Sequence, residues 1–225
     1  MQNGSPLLRI DEVPLNTVSG DSQPIQGQHL STPFGLSHCA LDVINFASIL
    51  NTREGEGTKL DPLSYTETLI SLLYRLIEAA PLRKPHSASG ELHDGVVHLA
   101  MLTFMTTLLP EYGRDHAHSN YPLLSDHLDK AIRDIRVTSL NTQDSRLSLL
   151  LWTLFISGVS GLKSKDHQWL LLLILETCQR LDLYDWAAVR HRLCRFPWIH
   201  TLHDAPGRCL WEDSQRRSTE FIQLT

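Results

Sequence analysis

Residues 147–162 contain no charged side chain, and this segment constrains the fold more than any other feature. It is shorter than the roughly 20 apolar residues that a membrane-spanning helix requires, and serine, threonine and glycine interrupt it. We therefore predict that it forms a buried core helix. Residues 169–183 are also strongly apolar. Because a helix that is apolar on every side lies inside a protein, the two segments predict a central apolar helix hairpin.

Apolar residues recur at three- and four-residue steps in several further segments, which is the period of an α-helix. These stripes begin at Leu36, Tyr65, Val96, Leu123 and Trp186. Asp166 and Asp185 are predicted N-caps, and Pro206 is predicted to be the first residue of a last helix. No alternating apolar pattern of strand length is present. The sequence thus predicts an all-α, multi-helix globular domain of about eight helices.

Residues 1–33 are rich in glycine, proline, serine, glutamine and asparagine, without an apolar period. We predict a flexible N-terminal tail or linker here, followed by one helical domain over residues 34–225. The N-terminus lacks the pattern of a signal peptide, and the four cysteines are spaced too widely for a zinc ribbon or a redox pair. A reducing compartment is expected. The net charge of -5 argues against binding to nucleic acid or to an acidic membrane.

The sequence contains none of the glycine-rich phosphate loops, nucleophile motifs or zinc-protease motifs that have a recognised mechanical role. Twelve histidines are present, and the strongest candidate group is His200, His203 and Asp204. His200 and His203 would share a face of a helix, with His191 or Cys194 as further metal ligands. A metal site needs three or four ligands at coordinating distance, and this spacing does not demand one. We expect these histidines to serve in capping, packing or at the surface.

The remaining chemical candidates also favour structural roles. Cys178 and Cys194 are expected to be small buried hydrophobic residues, and Glu176, Asp182 and Asp185 are expected at helix ends and on solvent faces. The sequence therefore predicts no catalytic, cofactor-binding or metal-binding residue, and no enzymatic activity.

All five tryptophans lie in the last third of the chain: Trp152, Trp169, Trp186, Trp198 and Trp211. Their positions inside apolar stripes predict core residues whose indole N–H groups each find one hydrogen-bond partner. The alternative is a stacking platform for bases or for an aromatic ligand. Gly207, in a segment between Trp198 and Trp211, is predicted to be a position of close backbone approach.

The order of these residues resembles a known family. The string comprises residues 149–155, Gly158, residues 169–183, Trp186, Val189, Leu193, residues 196–199, residues 203–208 and residues 210–212. It is similar to the fungal-specific transcription factor domain, the regulatory region of fungal zinc-cluster transcription factors. The specific part of the resemblance covers roughly residues 147–213, and Trp152, Trp169, Trp186, Trp198, Gly207 and Trp211 are its signature positions.

The resemblance implies an all-helical regulatory domain that acts in the nucleus in transcription regulation. It would act through protein partners of the transcription machinery or self-association, with a small apolar molecule as a further effector. The family's cluster of six closely spaced cysteines has no counterpart here, because Cys39 stands alone in the first 170 residues. We therefore expect no cofactor, no direct nucleic-acid binding by this chain alone and no membrane association. Two alternatives stay open: an all-helical metal- or histidine-dependent enzyme, and a plain helical interaction module without a ligand pocket.

Overall fold

The computed structural model describes residues 38–57, 59–79, 82, 92–109, 121–138, 144–160 and 168–223. Within these ranges the chain forms eight α-helices and no β-strand, so the all-α prediction is confirmed. The helices are α1 His38–Gly55, α2 Pro62–Ala79, α3 Leu92–Thr106, α4 Pro122–Thr138, α5 Asp144–Val159, α6 Gln168–Arg180, α7 Trp186–Leu193 and α8 His200–Gln223. None of the helices in this part of the chain is long and apolar enough to cross a membrane.

Helix α5 lies at the centre of the bundle. Its buried residues occupy every side of the helix, and it packs against α3, α4, α6, α7 and α8. Helix α6 packs against α5 and α8, as the predicted hairpin requires, but it leaves Leu172 exposed. The absence of charge in residues 147–159 of α5 therefore reflects burial on every side of the helix, whereas α6 covers one side of the core.

Close packing between α5 and α8 depends on a small residue. Gly158 of α5 lies directly under the side chain of Leu210 of α8, so closely that an added Cβ would overlap it. Buried residues of the described helices join into a single hydrophobic cluster, to which α1 contributes Val43, α3 contributes Leu99 and α4 contributes Leu128.

The predicted N-cap of α7 is confirmed. The side chain of Asp185 accepts a hydrogen bond from the backbone N–H of Ala188 at 2.7 Å. Helix α7 ends at Leu193, three residues before the predicted apolar stripe ends at Phe196. The N–H of Phe196 bonds to the carbonyl of Leu193 in a tighter turn, because Pro197 disfavours helical backbone in the residue that precedes it.

The prediction that α8 begins at Pro206 is wrong: α8 begins at His200, and Pro206 lies inside it. The reason is a cap supplied by another helix. Asn51 of α1 donates to the carbonyl oxygen of Trp198 at 2.7 Å and accepts from the backbone N–H of His200 at 3.0 Å. The side-chain amide of Asn51 thus pairs two backbone groups at the start of α8. Pro206 has no N–H, so α8 lacks only the helical hydrogen bond to the carbonyl oxygen of Leu202.

Several predictions fall on residues outside the described ranges. They are the tail over residues 1–33, the start of the first stripe at Leu36 and the cap Asp166.

The cap from α1 yields a stability prediction. Asn51→Ala should lower the free energy of unfolding by about 1–2 kcal/mol, because it leaves two partly buried backbone groups without partners. Urea denaturation followed by circular dichroism measures the change. The matched control is Asn45→Ala on the exposed side of the same helix, which should leave stability within about 0.5 kcal/mol of wild type. Equal effects of the two substitutions would contradict the capping role.

Candidate functional site

Five aromatic side chains meet between α5, α7 and the segment that leads into α8. We call them the aromatic hub: Trp152, Phe155, Trp186, Phe196 and Trp198. The rings of Trp152 and Phe196 stack at 5.6 Å. Phe155 lies 6.1 Å from Trp186 and meets Trp198 edge-on at 6.5 Å. Trp152 and Trp198 are fully buried, and removal of a buried tryptophan costs roughly 3–5 kcal/mol.

The polar atoms of the hub find partners within the protein. The indole of Trp152 donates to the carbonyl oxygen of Pro197 at 2.9 Å. The indole of Trp198 donates to Oδ1 of Asp204 at 2.7 Å, and Nε of Arg190 donates to Oδ2 of the same carboxylate at 2.8 Å. Both oxygens of Asp204, which the sequence analysis considered for a metal site, therefore accept hydrogen bonds that orient Trp198 and join α7 to α8.

Gly207 lies on α8 against the hub. A Cβ at this position would be 2.9 Å from Cη2 of Trp198 and 3.0 Å from Cη2 of Trp186. The close approach expected there is thus an approach of helix backbone to two indole rings. The structure brings Trp152, Trp186, Trp198 and Gly207 together in one site.

A methyl group at Gly207 should therefore disturb the hub. We expect Gly207→Ala to lower the free energy of unfolding by about 1–3 kcal/mol, because two rings must shift in a packed core. Chemical denaturation and near-ultraviolet circular dichroism of the tryptophans measure the effect. Gly55→Ala is the control, since nothing lies within 4 Å of a Cβ at that helix end. The control should be neutral or slightly stabilising, because alanine lowers the entropy of the unfolded chain. An equal loss in both variants would contradict the overlap with the rings.

The other two signature tryptophans lie outside the hub. Trp169 is half-buried on α6, and the guanidinium carbon of Arg133 lies 4.4 Å from the centre of its ring. Trp211 is half-buried on α8, and its indole nitrogen is buried without a hydrogen-bond partner among the described residues. The expectation that every indole finds a partner is therefore wrong for Trp211.

His203 is a buried structural residue. Its Nδ1 accepts from the backbone N–H of Ile199 at 3.0 Å, and its Nε2 lies 2.9 Å from the hydroxyl of Thr107. Because Nδ1 accepts, the ring proton is on Nε2, which donates to the hydroxyl oxygen of Thr107. That hydroxyl in turn donates a hydrogen bond to the carbonyl oxygen of Phe104. Burial lowers the pKa of His203 from 6.5 to about 4, against a smaller opposing effect of the Asp204 carboxylate.

This pKa predicts acid sensitivity. The unfolded chain takes up a proton below its pKa of 6.5, whereas the folded protein does so only near pH 4. The contribution of His203 to stability is therefore complete above pH 6.5 and is lost as the pH falls toward 4. From about pH 7.5 to about pH 4.5 the loss is about 2–3 kcal/mol.

Urea denaturation across that pH range measures the effect. The His203→Gln variant should show a correspondingly smaller loss of stability on acidification than the wild type. His200→Gln, at a half-buried position, serves as the control and should follow the wild type. Parallel pH profiles for the wild type and His203→Gln would overturn the assignment.

His200 and the cysteines do not form a reactive centre with His203. His200 Nδ1 lies 3.9 Å from Sγ of Cys194. The expected burial of Cys194 is wrong, because α7 ends one residue before it and leaves it exposed; partial burial of its sulfur nevertheless raises the pKa of the thiol. Cys178 is buried as expected, and burial raises its pKa to about 12. A thiol needs a lowered pKa to act as a nucleophile.

The three carboxylates expected at helix ends and on solvent faces serve separate structural roles. Glu176 pairs with Arg180 one turn along α6, Asp182 accepts from the hydroxyl of Tyr184, and Asp185 caps α7. Across the described ranges, no three histidine, cysteine, aspartate or glutamate residues are grouped so that they could hold a metal ion. The metal-dependent alternative therefore lacks a ligand set in this part of the chain.

An open groove adjoins the hub where α1 ends, α2 begins, α3 ends and α8 begins. Its volume is about 420 Å³, within the range typical of ligand pockets. We call this the groove; it is lined by Leu50, Arg53, Glu54, Gly57, Lys59, Leu60, Tyr65, Leu108, Ile199, Thr201 and Leu202. The hydroxyl of Tyr65 donates to the carbonyl oxygen of Leu108 at 2.8 Å, and that of Thr201 donates to Glu54 at 2.8 Å. These bonds brace its walls.

Sequence reasoning missed the residues that hold this site together across long distances in the chain. Asn51 appeared only as part of a helix end, and Thr107 carried no local signal. Their partners lie 147 and 96 residues away. The groove combines four elements, so no motif in one segment could have indicated it.

Comparisons of the chain with protein-family models, with curated proteins and with solved structures found no match.

Proposed function

We propose that this chain is the regulatory, non-DNA-binding domain of a fungal-type transcription factor. It acts in the nucleus through contacts with proteins of the transcription machinery and through a small apolar effector. The observation that carries the proposal is that four of the six signature residues converge, whereas Trp169 and Trp211 lie outside their site. Trp152, Trp186, Trp198 and Gly207, separated by up to 55 residues, belong to one packed site. That supports a common structural reason for their order.

The groove supports regulation by an effector. Ile199 and Leu202 line it. The backbone N–H of Ile199 donates to His203, and His200, which lies between Ile199 and Leu202, donates its backbone N–H to Asn51. A ligand in the groove would therefore touch both α1 and the first turn of α8. A ligand shifts a conformational equilibrium only through different affinities for two states. Occupancy of the groove would favour the capped arrangement of α8, and α8 passes that preference to α5 and α6, against which it packs.

The composition of the groove indicates the class of effector. Leucine, isoleucine and tyrosine side chains form most of its lining, with Arg53, Glu54 and Lys59 at the polar positions. Such a surface favours an apolar molecule of modest size with one polar group.

A reporter assay tests the regulatory role. The full chain, fused to an unrelated DNA-binding domain in a fungal host, should change the output of a reporter that carries the matching site. Leu202→Trp, which fills the groove, should remove the dependence of that output on added apolar metabolites. Leu172→Trp, at an exposed position of α6, should retain it. The same metabolites should raise the melting temperature of the purified chain by mass action, and Leu202→Trp should abolish the shift.

A fusion that leaves the reporter unchanged under every condition would contradict the proposal. So would specific, salt-dependent DNA binding by the purified chain alone. A thermal-shift screen without any response, alongside an active fusion, would favour regulation through protein contacts without an effector.

A further inference from the structure

The charges that line the groove are unbalanced. Its charged side chains are Arg53, Glu54 and Lys59, so the lining has two cations against one carboxylate. All three belong to the end of α1 and the segment before α2. The end of α3 and the start of α8 contribute only apolar side chains and the hydroxyl of Thr201. A ligand that spans the groove therefore meets net positive charge on one side and apolar side chains on the other.

Most polar atoms of the lining are already engaged within the protein. Oε2 of Glu54 accepts from the hydroxyl of Thr201 at 2.8 Å. The hydroxyl of Tyr65 donates to a backbone carbonyl oxygen at 2.8 Å. Because a hydroxyl has one hydrogen, neither Thr201 nor Tyr65 has a hydrogen to donate to a ligand. The remaining side-chain donors of the lining belong to Arg53 and Lys59.

The two cations hold several donors close to the groove. Lys59 is exposed, and none of the carboxylates in the described ranges forms an ion pair with it. Its ammonium group carries three donors, and the guanidinium of Arg53, also exposed, carries five. Neither group can accept a hydrogen bond. The polar end of a matching ligand must therefore offer acceptor atoms, and a negative charge completes the match.

We propose that the groove binds an alkyl monocarboxylate. Its carboxylate contacts Lys59 and Arg53, and its alkyl chain packs against Leu108, Ile199 and Leu202. Charge-assisted hydrogen bonds are stronger than neutral ones, so a carboxylate gains more from these donors than an alcohol does. An alkylammonium ion has no acceptor and would meet like charge. The inference rests on the proposed function of the groove as an effector site, and it adds the charge of the effector.

The alkyl chain supplies most of the affinity in this arrangement. Burial of one methylene group strengthens binding about fourfold. Decanoate should therefore bind about tenfold more tightly than octanoate. Because both cations are exposed, their pairing with a carboxylate adds only up to about a fivefold gain. Acetate, which has no chain to bury, should not bind measurably.

Isothermal titration calorimetry of the purified full chain near neutral pH tests the proposal with octanoate, 1-octanol and octylammonium. Octanoate should bind about three- to fivefold more tightly than octanol, and octylammonium should bind more weakly than octanol. Raising the salt concentration from about 0.05 M to about 1 M should remove the advantage of octanoate, because salt screens exposed charges. It should not weaken the binding of octanol.

Variants of one lysine test the charged contact. Lys59→Gln should reduce the preference for octanoate over octanol to about twofold or less. Lys59→Glu should reverse the order of the charged probes, so that octylammonium binds more tightly than octanoate. The matched control Lys130→Gln removes an exposed lysine of α4 that does not line the groove, and it should retain the preference. Circular dichroism verifies that each variant is folded.

A variant of the apolar wall tests the location of the ligand. Leu202→Trp should weaken the binding of octanoate and octanol alike, at least tenfold, because the larger side chain occupies the groove. Leu172→Trp, at an exposed position of α6, should bind both probes like the wild type.

Equal binding of octanoate and octanol to the wild type would overturn the carboxylate, and so would a preference that Lys59→Gln leaves unchanged. Absence of binding by every alkyl probe would overturn the inference, as would binding that Leu202→Trp leaves intact. These results are independent of the reporter assay. An active fusion whose purified chain binds no alkyl probe would retain the regulatory role while this inference fails.

Discussion

Residues 197–204, which lead from α7 into the first turn of α8, make the interactions on which the arrangement of the other helices depends. Helix α1 contributes Asn51, the end of α3 contributes Thr107, α5 contributes Trp152 and α7 contributes Arg190. Each of them pairs a polar group of residues 197–204. An unpaired buried polar group costs about 1–3 kcal/mol, so the segment is stable in this form only when all four elements are in place. The packing of the aromatic hub and the hydrogen bonding of residues 197–204 therefore depend on each other.

This dependence gives the groove its functional interest. A molecule that contacts Ile199 and Leu202 acts at the start of α8, where the side chains of Asn51 from α1 and of His203 pair the backbone N–H groups. The 24 residues of α8 extend from that point and pack against α5 and α6. Helix α2 also begins at the groove, since Tyr65 in its first turn lines it.

The candidate site was only partly predictable. The spacing of His200 and His203 gave no means of distinguishing a metal site from a structural role, because the difference lies in what the rings face. Thr107 and Ile199 occupy both nitrogens of His203, and Trp198 and Arg190 occupy both oxygens of Asp204. Thr107 lies 96 residues from His203, so a local pattern contains no information about it. The other three partners lie within 14 residues, but their pairing depends on the turn between α7 and α8. Trp152 and Trp198 are buried as their local apolar stripes predicted, whereas Trp169, Trp186 and Trp211 are only half-buried.

By itself the sequence determined the helical class, the burial of α5 and the cap at Asp185. Each of these depends on neighbours within a turn or two: the lack of charge in residues 147–160, the period of the stripes, and one carboxylate beside a free amide. Only the tertiary structure decided where α8 begins and which tryptophans form the hub. The start of α8 shows the reason, since Asn51 outweighs the local signal of Pro206 through bonds that form only after α1 has packed against the end of the bundle.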